Sequence, residues 1–295
     1  MMKTKGLFSI ILLFVIVFSP DGLNAQDVLN GVFVKEKTRN RKPVPYQYLR
    51  EADVMWSKIV WREIQLKEKI NHPLYYPENP IGDRMSLISL LMWGVQNQGL
   101  TAYDESEGDE FATVMTVKEI EDKFGAKDEK VMVEDVENPD GPMIETTIEG
   151  TYSTSEVKRY LVKEMWFFDK QRSVLDVRII GICPIREFTR ESLDDEDEEE
   201  ESMESIKKKK LFWVYFPEAR KILANHEVFN PNNDSERKSF DDIFFKRYFS
   251  SYIVQESNAY SNRIIADYTI GLESLLEAER IKESIFNFEQ DLWEY

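Results

Sequence analysis

Cys183, the only thiol in the chain, and His72 and His226, its only histidines, are the residues that could pair a nucleophile with a base. That chemistry needs an accessible thiolate in an electropositive pocket beside an imidazole. Cys183 instead closes a strand pattern, Val174 to Cys183, between apolar strand residues, where a small buried residue is the plainer reading. A zinc site would have to lean on carboxylates, because the spaced Cys and His pairs of structural zinc are absent. Asn230, Asn232 and Asp234 alternate like the first ligands of a calcium loop. Such a loop wants Asp first, Gly sixth and Glu twelfth. Those places hold Asn230, Ser235 and Asp241, and Arg237 and Lys238 interrupt the oxygen ligands, so the stretch reads as an Asn-rich turn. With 55 acidic residues, accidental carboxylate pairs are inevitable and none is singled out for acid–base work. Nucleophile-elbow, phosphate-loop and zincin motifs are missing. No residue is assigned as catalytic, cofactor-binding or metal-binding, and no cofactor is implied.

Composition narrows the class further. A formal net charge of −17 over 295 residues disfavours nucleic acid and anionic lipid as partners. One cysteine excludes an intrachain disulfide. Lys3 and Lys5 precede an apolar run, Leu7 to Phe18, followed by Pro20, Gly22 and Asn24-Ala25-Gln26. As a helix that run would span about 18 Å against roughly 30 Å of hydrocarbon, which predicts a secretory signal peptide over 1–25 rather than an anchor. No cysteine stands near the cut for lipid attachment. The product is expected to be soluble and exported, with no direct membrane insertion.

The elements around these residues form an α+β pattern: an antiparallel sheet packed with amphipathic helices, in one compact domain. Residues 26–48 read as an irregular arm, with a basic patch from Lys35 to Lys42 and breakers at Pro43 and Pro45. Ala52, Trp56, Ile59, Val60, Glu63 and Ile64 follow helical spacing over 49–71, and Pro73 would end that helix. A second, buried helix is expected from a cap at Asp83 through Leu87, Ile88, Leu90, Leu91 and Met92 to Gly94 or Gly99. Asp104 to Glu110 reads as an acidic loop. Thr116 with Glu119 forms a capping box for a short helix stopped by Gly125. Val131–Val133 and Met143–Ile148 flank a Pro/Gly turn at 138–142 and read as a hairpin on the sheet's edge.

The centre is a second hairpin, Tyr160–Phe168 and Val174–Cys183, joined through Asp169. Two-residue alternation puts Tyr160, Val162, Trp166 and Phe168 on one face of its first arm. In the second arm it puts Leu175, Val177, Ile179 and Cys183 together, and Pro184 should end the pairing. The acidic run Asp194–Glu201, within an insertion at about 190–206, reads as a repelling, disordered loop neutralised by Lys207 to Lys210. Leu211–Phe216 reads as an interior strand, and Pro217 opens a helix. Ser239 caps another helix, whose apolar face is Phe240, Ile243, Phe244 and Tyr248. Tyr252-Ile253-Val254 reads as a short strand. Over 271–293 a long amphipathic helix is expected, with Leu272, Leu275, Leu276, Ile281, Ile285, Phe286 and Leu292 on its apolar positions.

Several phrases of the chain are long and ordered: Ala52–Lys58 with Trp61-Arg62, Leu74-Tyr75-Tyr76-Pro77, Leu100–Asp104, Trp166–Val174, Leu211–Arg220, Phe240–Phe244 and Leu275–Lys282. In them the chain resembles the GldN/PorN family of gliding-motility and type IX secretion proteins, over residues 49–295. The resemblance implies a periplasmic scaffold rather than an enzyme. It implies self-association in a ring with an outer-membrane lipoprotein of the GldK/PorK type, alongside inner-membrane motor proteins of the GldL/GldM type. The rival reading is a periplasmic small-ligand receptor or enzyme, which would need a polar pocket.

Overall fold

The computed structural model describes residues 41–292 except 83, 107–108, 127–128, 134–143, 149–152, 190–205 and 234. The predicted signal peptide, most of the basic patch, the Asp83 cap, the 138–142 turn and the acidic run lie outside the described residues. Residues 41–50 carry neither helix nor strand.

The first regular element corrects the sequence reading. Val54–Gln65 is not a helix but a twelve-residue strand, β1. Its neighbours β6 and β12 take both of its edges. Both of its faces are also covered: Val60 and Ile64 point one way, Ile59 and Trp61 the other. A strand apolar on both faces reads as a near-continuous hydrophobic run, and its Trp and Ile residues fall on helical spacing by coincidence. Pro73 likewise ends nothing; it sits in the first turn of the short helix α1 (His72–Tyr75). Helix α2 (Leu87–Asn97) is capped three residues later than expected, by Ser86, whose hydroxyl accepts from Ser89 N. As expected it is buried nearly all round. The expected acidic loop at 104–110 is instead part of a strand pair, β2 (Ala102–Ser106) and β3 (Asp109–Met115).

Helix α3 (Val117–Phe124) has the predicted capping box between Thr116 and Glu119 and the left-handed Gly125 at its end. Strands β4 (Glu129–Val133) and β5 (Ile144–Ile148) do pair, but as a separate two-stranded sheet rather than on the main sheet's edge. The central hairpin is β6 (Val157–Asp169) with β7 (Val174–Thr189), and Asp169 Oδ1 accepts from Gln171 N in its turn. Lys207 to Lys210 form most of β8 (Ile206–Lys210), which pairs with β7. Then come β9 (Trp213–Tyr215), α4 (Phe216–Asn225, Pro217 in its first turn), β10 (Glu227–Val228) and β11 (Lys238–Ser239). Helix α5 (Phe240–Phe245) is capped by Ser239, strand β12 (Tyr252–Glu256) follows, and α6 (Leu272–Asp291) closes the chain. Tyr248, expected on the apolar face of α5, is exposed.

The main sheet runs β12-β1-β6-β7-β9-β2-β3, antiparallel throughout, with β8 beside the far end of β7. One face carries Ile64, Tyr160, Val162, Ile182 and Val214 under α2, α4 and α5. Further along that face Val60, Ile253, Trp166 and Leu175 meet α6. The other face holds Trp61, Leu161, Cys183, Ile185 and Trp213, and among the described residues no helix joins that cluster. It is closed by the sheet itself. Glu110 of β3 accepts from Trp61 Nε1 of β1 at 2.8 Å, although four strands separate them in the sheet order. Twist therefore curls the sheet until its ends approach.

Two details of β7 differ from simple alternation. The register with β6 slips between Lys163 and Glu164, leaving Ile180 as an extra residue. Such a bulge inverts the alternation, so Ile179 joins the helical face while Cys183 turns to the opposite one. Pairing also continues past Pro184, opposite Tyr160. Pro184 O accepts from Leu211 N at 3.0 Å, so the proline's bare nitrogen points to the same side, at the gap between β9 and β8. No ladder bond is lost there.

Candidate functional surface

The residues with catalytic chemistry are not brought together. Cys183 is fully buried, its Sγ against Pro184 O, and burial pushes the thiol up to about 12. His226 packs edge-on against Trp93 of α2, with Nδ1 at 2.9 Å from Ile222 O, and His72 sits in α1. Asn230 Oδ1 accepts from Asn232 N, and Asn233 Oδ1 from Ser235 N, which makes the stretch an Asx turn. Asp234 lies outside the described residues, and Asp241 is committed elsewhere. Among the described residues no three His, Cys, Asp or Glu side chains converge as metal ligands.

Buried charge is present, and each group is matched. Arg220 of α4 donates to both oxygens of Asp241 on α5 at 2.7 and 3.0 Å, with the Tyr46 ring over its guanidinium. Glu164, on the sheet face that meets the helices, accepts two bonds from Arg247 at 2.9 and 3.1 Å and one from Trp166 Nε1. On the opposite face Arg159 joins Glu63 and Glu187, and Lys163 joins Glu110 at 2.6 Å. Tyr252 shares Glu63, and burial with that carboxylate pushes its hydroxyl up to about 12. Removing one partner from such a pair strands a charge in a low-dielectric site, so these groups hold elements together. Composition reasoning missed them. The one signal in the sequence was Glu164 standing between Val162 and Trp166 on an otherwise apolar strand face.

Among the described residues are two surface depressions of about 300 Å³ each. The first lies among Asp104, Thr113, Met115, Glu119 and Lys123. Lys123 pairs there with Asp104 and Glu119 serves its own capping box, while Asp122 completes the charged lining. The second runs between α6 and the sheet, with Trp166, Leu175, Ile253 and Phe286 as apolar walls and Arg62, Glu283 and Glu289 among its polar lining. Arg62 is held by Ser251, donating to Oγ at 2.8 Å and to the carbonyl oxygen at 2.7 Å.

Beside that groove α6 departs from its expected packing. Only Ala278, Ile281 and Ile285 are buried, and Phe288 stacks on Trp56 at 4.7 Å between ring centroids. Leu272 is 71% exposed, Leu276 62% and Phe286 56%, and Ile270 just before the helix is 87% exposed. Helical steps of about 100° put Leu272, Leu276, Glu279, Glu283 and Phe286 on one outward stripe, opposite the buried one. Tyr260 and Leu275 add exposed apolar area nearby in the chain.

The class defined here is an α+β protein whose buried carboxylates, among the described residues, are paired with cations and whose exposed apolar area gathers on α6. Such a patch marks an interaction face more often than a reaction site. A family model described as "Gliding motility associated protein GldN" matches residues 49–294, and the chain belongs to that family. No curated protein matches it. Among the described residues no helix is long and apolar enough to cross a membrane.

Proposed function

We propose that the chain is a periplasmic, non-enzymatic scaffold of the type IX secretion and gliding machinery. It assembles in multiple copies into a ring with an outer-membrane lipoprotein of the GldK/PorK type, which holds it at the outer membrane. Inner-membrane motor proteins of the GldL/GldM type act with that ring. Membership of a gliding-motility family over residues 49–294 carries the reading. The paired state of the buried carboxylates and the exposed apolar stripe of α6 support it.

Export is the first requirement: the native protein should begin at or near Gln26 and carry no acyl chain, which N-terminal sequencing and intact mass would read. The decisive experiment purifies the native protein from gently solubilised envelopes, weighs the particle, and assays secretion in a deletion strain. A large particle containing the lipoprotein, with secretion lost on deletion, is the expected result. A monomer that binds a metabolite in the groove beside α6, in cells that still secrete, would overturn the scaffold in favour of a receptor.

A further inference from the structure

The fold leaves unexplained why a helix at the end of the chain should be apolar on two sides. Burial against the sheet consumes one stripe of α6, and Leu272, Leu275, Leu276 and Phe286 lie outside it. Exposed leucines at three- and four-residue spacing form the kind of face that a second amphipathic segment covers. About 15 Å of helix axis separates Leu276 from Phe286, enough to engage two turns or more of a partner helix. The groove of about 300 Å³ next to Phe286 offers a pocket for one large side chain, and interfaces draw most of their energy from such anchors.

Charge selects the partner. Helix α6 carries six acidic residues and two basic ones. Both basic residues are already engaged, Arg280 with Glu277 at 2.6 Å and Lys282 with Glu279 at 2.8 Å. Among the described residues Glu273, Glu283 and Glu289 have no ion-pair partner, and Glu283 and Glu289 line the groove. A second copy of the same helix would bring the same acidic excess, and an anionic lipid surface would be repelled. A basic segment meets neither penalty, and the groove's own cations are held in place, Lys282 on Glu279 and Arg62 on Ser251.

We propose that the outward face of α6 and the groove beside it dock a basic amphipathic segment of another protein. Its apolar residues seat on Leu272, Leu275, Leu276 and Phe286, and its lysines or arginines face Glu283 and Glu289. This deepens the scaffold reading and rests on it for the existence of a partner. The probes are an amphipathic Leu/Lys peptide and its Leu/Glu counterpart, titrated against the exported chain by fluorescence anisotropy. The Leu/Lys peptide should bind, more weakly as salt rises, and the Leu/Glu peptide should not. Leu275→Gln with Leu276→Gln should weaken binding about tenfold or more. Glu283→Lys with Glu289→Lys should do the same, whereas Glu51→Lys with Glu78→Lys, an equal charge change on other exposed positions, should alter it less than about twofold. Equal weakening by both charge pairs, no effect of the leucine changes, or binding of neither peptide would overturn the docking face.

Copurification from envelopes separates the two ideas. Loss of the partner in the α6 variants but not in the Glu51/Glu78 control supports the docking face. A partner retained by every variant overturns it and leaves the scaffold standing. A wild-type protein that retains no partner overturns both.

Discussion

Helices α2 and α6 both read from sequence as carriers of apolar residues, and the fold uses them in opposite ways. In its eleven residues α2 buries Leu87, Ile88, Leu90, Leu91, Met92 and Gly94. In its twenty, α6 buries Ala278, Ile281 and Ile285. Each fully buried Leu or Ile contributes about 1.5–3 kcal/mol relative to leaving it exposed, so α2 is held by its surroundings on every turn. Helix α6 is held by one narrow stripe. It teaches that apolar periodicity reports how much hydrophobic area a helix carries, not how much of it its own chain will cover.

The sharpest way to break this comparison is to damage what pins the helical layer beside α2. Arg220→Ala leaves Asp241 buried without its cation, and a loss of about 3–5 kcal/mol is expected in a denaturant titration. A loss below about 1 kcal/mol would mean that water reaches the site and that the α4–α5 contact is peripheral. Next in size, Leu90→Ala at the centre of α2 should cost about 2–5 kcal/mol through lost burial and the cavity left behind. Smaller again is the cap of α3. Thr116→Ala removes the acceptor of Glu119 N and should cost about 1 kcal/mol. Helix α6 offers no equivalent, since it starts at Gly271 with φ of +62° and no side-chain cap. That bare start agrees with a helix held mainly by its contacts.

Much of the fold was legible where a local rule decides the outcome. The Thr116/Glu119 box, Gly125, Pro217, the Ser239 cap and the β6–β7 hairpin all follow from one or two residues acting on their own turn. What escaped depends on neighbours distant in sequence. β1 reads as a helix because both of its faces are buried, and that is known only once α6 packs on Val60 and Trp213 packs beside Trp61 on the other side. Cys183 changes faces because of a bulge that no residue type announces. The pairing of Arg220 with Asp241, 21 residues apart, and of Glu164 with Arg247, 83 apart, is likewise invisible in a one-dimensional pattern. As for the surface, the leucines of α6 were singled out in the sequence, but as core. Only packing shows that Leu272, Leu275 and Leu276 face outward.

The smallest expected effect tests that last point most directly. Leu276 is 62% exposed, so replacing it forfeits little transfer free energy. Glutamine has nearly the helix propensity of leucine, so Leu276→Gln adds almost no backbone cost. The change in stability should therefore stay within about 0.5 kcal/mol, as for surface positions generally. Five residues on, Ile281 lies on the buried stripe of the same helix, where Ile281→Ala should cost about 2–5 kcal/mol. Measured in one denaturant series, the two substitutions ask the same helix which of its faces its own chain requires. A large gap between them leaves the outer leucines without a role in folding and free for a partner. If Leu276→Gln cost as much as Ile281→Ala, the outward stripe would be packed within its own chain, and the contrast with α2 would vanish along with the docking face.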